Sequence, residues 1–296
     1  MKTMETLEFT DGSLLQFALP APTPTLDQSC FAFSLHKAGS SLLNSLLHDY
    51  SQRTQVSTID ISSIAASHGD DVINITAESG RRVIRYSGYG YWGWRNYAAC
   101  LDEVDFSKSK NLLLVRDPRD RLVSQFFSFG RSHTIPEEGT ARALVLGNRQ
   151  EASSMSIDDY ALAKLQFIDE NWSAYHRRLN PLTTRVYRYE DVIFRKEEWL
   201  EDIVDYLKLP HDADAIREIA KAHDILPKVE DPDAHIRQVR PGNFRAHLAP
   251  ATIDRLGREL GSYLQAYQYL NPTSYGESLV FAEEGEAATR LFSCFS

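Results

Sequence analysis

The sequence predicts an α/β protein built on a doubly wound, mostly parallel central sheet with helices on both faces. Short apolar runs that suit buried strands alternate along the chain with segments whose apolar residues recur at helical spacing. Residues 112–115 form a continuous apolar run, which is typical of a strand covered on both faces. Residues 31–47 read as strand, tight turn and helix, and we expect the rest of the chain to be organised around this unit.

The remaining elements follow from the same patterns. Asp11 and Gly12 interrupt an alternating segment and predict a β-hairpin over residues 7–17. Asp117 suits a helix N-cap, Pro118 the first helical position, and Asp120 a capping box. The aromatic and glycine-rich stretch 88–95 predicts a loop. Further strands are expected at 56–61, 83–86 and 184–192, and further helices at 61–67, 156–179, 196–207, 212–223 and 252–269.

Composition limits the classes of function. The chain has 296 residues and a net charge of −9, without a basic tail, so we expect no nucleic-acid partner. Its three cysteines are far apart and form no CxxC pair, which favours a reducing compartment. The first residues lack an apolar signal-peptide core, and no run approaches the length of a membrane span. We therefore expect a cytoplasmic protein without a membrane segment.

We divide the chain into three parts. Residues 1–28 are predicted to be an N-terminal hairpin with a proline-stiffened linker, residues 29–270 the main domain, and residues 271–296 a C-terminal tail. The sequence leaves the oligomeric state open, with a homodimer as one option.

The turn after the first core strand is a candidate anion site. It contains Lys37, Gly39 and the two hydroxyl residues Ser40 and Ser41, and it opens a helix. A helix N-terminus directs free backbone N–H groups and the positive end of the helix dipole at one spot. A Walker A loop would place the lysine after the glycine, with a second glycine upstream, and this turn does neither. The order of residues therefore argues against a nucleoside-triphosphate loop.

Arg116 and Ser124 form a second candidate group. Arg116 directly follows the strand at 112–115, and Ser124 lies eight residues further on, in the second turn of the predicted helix. Both could reach one ligand, because the carboxyl ends of parallel strands meet at one edge of a sheet. We expect Arg119 and Arg121, on the same helix, to be solvated or ion-paired.

These segments together resemble one enzyme family. The order Lys-x-Gly-Ser-Ser is similar to the 5′-phosphosulfate loop of sulfotransferases that use 3′-phosphoadenosine 5′-phosphosulfate (PAPS), and the Arg116–Ser124 spacing resembles their 3′-phosphate site. The run from Tyr189 to Asp191 is similar to the family's Tyr-Glu-Asp, and the run from Gly242 to Arg245 to its Gly-Asp-Trp-Lys/Arg turn. The resemblance extends over about residues 30–269, and it is to cytosolic-type members, with some likeness to the bacterial and carbohydrate-modifying branches.

The resemblance implies a P-loop NTPase-like sulfotransferase fold, with residues 29–270 as the sulfotransferase domain. It implies transfer of a sulfuryl group from PAPS to a hydroxyl or amine of a small-molecule or carbohydrate acceptor, without a metal. Lys37 would be the catalytic residue. Donor-binding residues would be Lys37, Ala38, Gly39, Ser40, Ser41, Leu42, Arg116, Ser124, Tyr189 and either Arg237 or Arg240. The alternatives are a P-loop kinase of small molecules and a non-catalytic nucleotide-binding module.

The acceptor side departs from the family. Cytosolic members carry Lys-Thr-His after the third strand, whereas we align Arg85 to Ser87 with that position. The stacking tryptophan of the loop is replaced by Leu42. His36 and the acidic residues Asp102, Glu103 and Asp105 are the remaining candidates for the general base. The base and the identity of the acceptor therefore stay open.

Overall fold

The structure is a computed structural model that describes residues 3–132, 139–225 and 238–270. The chain begins with an antiparallel hairpin of β1 (Thr3–Glu8) and β2 (Leu14–Leu19). Gly12 in its turn has φ = +85°, a conformation that glycine adopts without strain. The predicted hairpin is confirmed. It packs onto the main core through Leu7 and Phe9, and the backbone N–H of Glu8 donates to Ser79 Oγ at 2.8 Å.

Five parallel strands form the central sheet. They are β3 (Cys30–Ser34), β4 (Thr58–Ile59), β5 (Gly90–Trp94), β6 (Lys110–Val115) and β7 (Thr184–Arg188). Their order across the sheet is β4-β5-β3-β6-β7. After β3 the chain crosses to one side of the sheet, and after β5 it continues on the other side of β3. This change of direction opens a crevice at the carboxyl ends of β3 and β6, which is where open α/β sheets bind ligands.

Helices cover both faces of the sheet. They are α1 (Ser40–Thr54), α2 (Ile61–Ser67), α3 (Ala77–Val83), α4 (Pro118–Phe127), α5 (Gly139–Ser154), α6 (Ile157–Ala163), α7 (Leu165–Arg178), α8 (Tyr189–Val192), α9 (Lys196–Leu207), α10 (Ala213–Ala222), α11 (Phe244–His247), α12 (Pro250–Glu259) and α13 (Gly261–Ala266). A π-helical turn, Ser128–Ser132, extends α4.

Alternate residues of the central strands enter two separate cores. Phe31 and Phe33 of β3 pack in one core with α2, α4, α7 and α13, whereas Cys30 and Ala32 pack in the other with α1, α9 and α10. Leu113 and Leu114 of β6 divide between the two cores in the same way. The doubly wound, parallel α/β fold predicted from the sequence is thereby confirmed.

Several predicted elements differ from the structure. The strand expected at 184–192 ends at Arg188, because residues 189–192 form α8, and the strand expected at 56–61 is confined to Thr58 and Ile59. Residues 83–86 are not a strand: Val83 ends α3, and the third strand of the sheet is β5, inside the stretch predicted to be a loop. The helix expected over 156–179 breaks at Lys164 into α6 and α7. The helix expected over 252–269 breaks at Leu260 into α12 and α13. Residues 271–296, the predicted tail, lie outside the described residues, and the division into domains stays a prediction.

Cys30 and Cys100 are free thiols in the cores, and burial raises the pKa of each to about 12. Neither is therefore a reactive thiolate at neutral pH. None of the helices in the described part of the chain is long and apolar enough to cross a membrane.

Candidate anion-binding site

The turn between β3 and α1 has the backbone of an anion-binding loop. Lys37 and Gly39 have φ values of +65° and +98°, and the N–H of Ala38 donates to Leu35 O at 2.8 Å. Gly39 occupies the N-cap without a capping side chain, and no acidic residue lies in the first turn of α1. The N–H groups of the first helical residues therefore keep no acceptor within the helix and are available to an anion.

Lys37 lies in an environment of positive charge. Its Nζ donates to Ser128 Oγ at 2.5 Å. Burial, together with the charges of Arg95 and Arg116, lowers the pKa of Lys37 to about 8. Among the described residues, the charged groups that shift the pKa of this lysine are both cations. An anionic ligand would supply the missing negative charge.

Arg116 continues from the end of β6 and is 5% exposed. Its guanidinium carbon lies 4.4 Å from the centre of the Tyr189 ring, and Nη2 lies 3.6 Å from Asp120 Oδ2. Its buried Nε makes no hydrogen bond to any described residue. A buried N–H donor without an acceptor is unfavourable, so this group is a candidate contact for a ligand.

Tyr189 connects Arg116 to the turn of residues 35–39 between β3 and α1, which we call the lysine loop. A β-carbon on Gly39 would lie 2.9 Å from Tyr189 Cδ2, so the ring packs directly against the glycine backbone. The same ring carries the guanidinium of Arg116, and its hydroxyl donates to Val239 O at 3.0 Å. The backbone of the turn that contains Lys37 and the guanidinium of Arg116 therefore lie beside one shared side chain.

Ser124 lies on the helix that contacts both Arg116 and Lys37. Asp120, Ser124 and Ser128 follow one another at intervals of four residues along α4 and its extension, which places them on one face, and Arg116 lies two residues before the helix begins. Asp120 contacts Arg116 at one end of this row, and Ser128 contacts Lys37 at the other. Ser124 is half-buried in the middle, a position compatible with the predicted role beside Arg116.

The carboxylate of Asp120 binds both Arg116 and a loop that is distant from it in the sequence. Its carboxylate accepts the backbone N–H groups of Gly242 at 2.7 Å and Phe244 at 2.8 Å. The predicted capping box is therefore wrong, because the N–H of Asp117 donates instead to Glu190 Oε1 at 2.9 Å. The predicted N-cap is confirmed, since Asp117 Oδ1 accepts the N–H of Arg119 at 2.9 Å.

The loop bound by Asp120 contains one of the two arginines predicted for the 3′-phosphate. Val239 and Gly242 are tied to Tyr189 and Asp120, and Arg240 lies between them with an exposed side chain. Arg237 lies outside the described residues. Of the other predicted loop residues, Ala38 and Ser40 are buried, Leu42 is half-buried and Ser41 is exposed.

A second layer of buried side chains supports Arg116. The hydroxyl of Tyr263 on α13 donates to Arg116 O at 2.8 Å. Glu190 Oε2 accepts the hydroxyl of Tyr269 at 2.7 Å, and its Oε1 accepts the N–H of Asp117. Burial raises the pKa of Glu190 to about 7, although the N–H of Asp117 and the charge of Arg116 oppose the shift.

Arg95 is the site residue that the sequence analysis missed. It follows β5, the true third strand, and is exposed. Residues 85–87 precede that strand and so lie at the opposite edge of the sheet, which makes the alignment of Lys-Thr-His with them wrong. The backbone N–H of Gly93 donates to Asn44 Oδ1 at 3.1 Å, tying the end of β5 to α1. Placing the strand within the aromatic stretch would have found Arg95.

The acidic candidates for the base lie away from the loop. Glu103 pairs with Arg81 on α3, and Asp105 caps the turn that leads into the amino end of β6. Asp102 accepts the hydroxyl of Tyr97 at 2.8 Å. His36 remains beside Lys37, with its ring stacked on Phe129 at 5.6 Å between centroids. Among the described residues, no three His, Cys, Asp or Glu side chains converge as a metal site would require.

Comparisons with known proteins give a match in fold. No protein-family model matches the sequence, and no curated protein matches it. A mouse sulfotransferase, SULT7A1, crystallised with PAP, is similar in structure, with a TM-score of 0.55 and 12% identity over 90% of this chain and 96% of that one. Retinol dehydratase with androsterone and inactive cofactor PAP gives a TM-score of 0.45 and 14% identity, over 83% and 82% of the two chains.

The mouse structure covers both the sheet and the helices around the crevice, since the alignment extends over almost the whole of each chain. At this level of identity the similarity is one of fold. The chain therefore adopts the α/β fold of the sulfotransferases, as its motifs predicted.

Proposed function

We propose that this protein is a sulfotransferase that moves a sulfuryl group from PAPS to a hydroxyl or amine of a small-molecule or carbohydrate acceptor. The observation that carries the proposal is the packing of both Gly39 and Arg116 against the ring of Tyr189. It brings the lysine loop and a buried arginine together at the carboxyl ends of β3 and β6. A ligand with two separated phosphate groups fits this arrangement.

The site has the features expected of a receptor for such a donor. The N–H groups at the start of α1 and the ammonium of Lys37 suit the 5′-phosphosulfate. Arg116, whose Nε makes no hydrogen bond within the described part of the chain, and Ser124 suit the 3′-phosphate, and Arg240 or Arg237 would close over it. PAPS supplies a sulfuryl group on a good leaving phosphate. The loop and the arginines orient the PAPS molecule, and this scheme requires no metal.

Lys37 is proposed to act on the leaving oxygen. Negative charge grows on the bridging phosphate oxygen as its bond to sulfur breaks, and an ammonium at that position stabilises the transition state more than the ground state. Burial strengthens this interaction because water screens it less. The depressed pKa of Lys37 in the free protein rises again once an anion faces it.

The acceptor would enter from the side of β5. Arg116 and the 3′-phosphate contacts lie on the β6 side of Lys37, whereas Arg95 lies on the β5 side. In-line displacement requires the nucleophile to approach sulfur opposite the leaving oxygen. A cation in that position suits the negative oxygens of the sulfuryl group during transfer. His36 is the candidate base nearest to Lys37.

Binding of the reaction product gives the first test. Adenosine 3′,5′-bisphosphate at saturating concentration should raise the thermal unfolding midpoint, because a ligand that binds only the folded state stabilises it. ATP with Mg²⁺ serves as the comparison. If ATP with Mg²⁺ raises the midpoint and the bisphosphate does not, a kinase is the better assignment.

Turnover gives the second test. The substitution Lys37→Ala should reduce sulfuryl transfer, measured with PAPS and a panel of phenols, amines and sugars, by at least about 100-fold. Lys221→Ala, an exposed position on α10, is the matched control and should leave the rate unchanged. Near-normal transfer by Lys37→Ala would contradict the assigned role. Binding without transfer to any acceptor would favour the non-catalytic nucleotide-binding module.

A further inference from the structure

Arg121 on α4 is completely buried, contrary to the sequence prediction that it is solvated or ion-paired. It is among the largest side chains with no exposed surface. Burial of a guanidinium normally requires a carboxylate beside it, because the loss of hydration costs several kcal/mol. The carboxylates next to it in sequence serve other groups, since Asp120 holds the loop at Gly242 and Asp117 pairs with Arg119.

Arg121 contacts the backbone of the lysine loop. Its Nε donates to His36 O at 2.8 Å, the carbonyl directly before Lys37. The same guanidinium also interacts with the hydroxyl oxygen of Tyr263, whose own proton is donated to Arg116 O. Burial lowers the pKa of Arg121, with Tyr263 and Tyr269 opposing the shift and the charge of Arg116 adding to it. The main groups around this guanidinium are thus two tyrosines and another arginine.

We infer that Arg121 is a positioning residue for Lys37. The peptide that it holds precedes the left-handed backbone of Lys37, with φ = +65°, which a lysine adopts only when its surroundings impose it. The hydrogen bond holds this peptide in place, and the guanidinium adds a positive charge beside the loop. This inference rests on the proposed function, because the charge becomes favourable only when an anion occupies the loop.

A structural role and a positioning role predict different behaviour. If Arg121 served the fold alone, its replacement would lower stability and leave ligand binding by the folded protein unchanged. If it serves the loop, an apolar residue of similar length should be tolerated by the fold, because replacing buried charged groups by apolar residues of similar volume is often neutral or stabilising. The loss should then appear in binding and turnover.

The experiment compares Arg121→Met and Arg121→Lys with wild type. Arg217→Met, an exposed position on α10, is the matched control. We expect Arg121→Met to unfold within about 3 °C of wild type, and to bind adenosine 3′,5′-bisphosphate at least about 10-fold more weakly. Arg121→Lys keeps the charge and should lose less affinity. Burial is the main cause of the lowered pKa of Lys37, so a lysine held less firmly and less buried should have a higher pKa. Affinity for the bisphosphate, which requires the ammonium form, should therefore persist to higher pH in Arg121→Met.

The outcomes separate the inference from the proposed function. If wild type does not bind the bisphosphate, the proposed function fails. If wild type binds it and Arg121→Met binds equally well with the same pH dependence, the inference fails. It fails as well if Arg121→Met and Arg121→Lys both unfold far below wild type while their folded fraction binds normally, because Arg121 would then serve the fold alone.

Discussion

Lys37 depends on neighbouring cations as well as on burial for its charge state. Burial, with the charges of Arg95 and Arg116 adding to it, lowers the pKa of this lysine to about 8 in the free protein. The ammonium form, which an anion needs, is therefore complete well below pH 8 and is lost as the pH rises through that value. Affinity for a bisphosphate should consequently decline in a range where an ordinary lysine would still be charged.

The substitution Arg95→Gln tests this coupling. Removing one repulsive charge should move the decline of adenosine 3′,5′-bisphosphate affinity to higher pH, by up to about one pH unit. The measurement is a titration of the dissociation constant from pH 7 to 10 by calorimetry. Arg81→Gln, on the exposed face of α3, is the control and should behave as wild type. An identical pH dependence in Arg95→Gln would show that Arg95 does not act on Lys37.

Among the elements, α4 connects parts of the site that are far apart in the sequence. One face carries Asp120, which holds the loop at Gly242 and Phe244 through two backbone N–H groups. The same carboxylate lies 3.6 Å from Arg116. The helix therefore couples the arginine at the end of β6 to a loop more than one hundred residues away.

The substitution Asp120→Ala should disrupt this coupling. It leaves two backbone donors without their acceptor and the buried charge of Arg116 without its carboxylate, and we expect the free energy of unfolding to fall by about 3 kcal/mol or more. Urea denaturation measures the loss. Asp214→Ala, whose side chain is 75% exposed, is the control and should change it by less than about 0.5 kcal/mol. A similar small change in Asp120→Ala would mean that the loop is held by other contacts.

How far the sequence predicts the elements depends on the range of the interactions involved. The unit of β3, the lysine loop and α1 could be predicted because its signals are local: an apolar run, a turn with glycine, and helical spacing. β5 could not, since its glycines read as a loop. Gly93 has φ = +92°, and a β-carbon there would lie 2.3 Å from Asp60 Oδ1, so close packing requires the glycine.

The candidate site shows the same limit. Spacing identified Lys37 and Arg116, because each follows a strand. Spacing could not identify Arg121, because its role depends on which carbonyl lies beside it in the folded chain, and it missed Arg95 because the strand before Arg95 was predicted to be a loop. Long-range contacts of this kind leave no periodic signal in the sequence.

At the scale of the whole molecule, the C-terminal segment of the described chain supports the residues that position Arg116. Tyr263 and Tyr269 reach the carbonyl of Arg116 and the carboxyl of Glu190, joining the end of the described chain to the ends of β6 and β7. Glu190 is fully enclosed in this arrangement, at 1% exposure. Folding of the C-terminal region and assembly of the anion site should therefore be one cooperative event.

Glu190 makes that cooperation measurable through pH. Burial raises the pKa of its carboxyl from an ordinary value of 4.5 to about 7, so the folded state binds more protons than the unfolded state between these values. The contribution of Glu190 to stability is thus complete below about pH 4.5 and is lost as the pH rises to about 7. Glu190→Gln removes this titration, and the stability of wild type relative to this variant should fall steadily over that interval, as measured by urea denaturation.

Glu218→Gln, exposed on α10, controls for a general change in charge. A constant difference between wild type and Glu190→Gln across this pH range would mean that Glu190 is already ionised in the folded protein, held so by Arg116 and the N–H of Asp117.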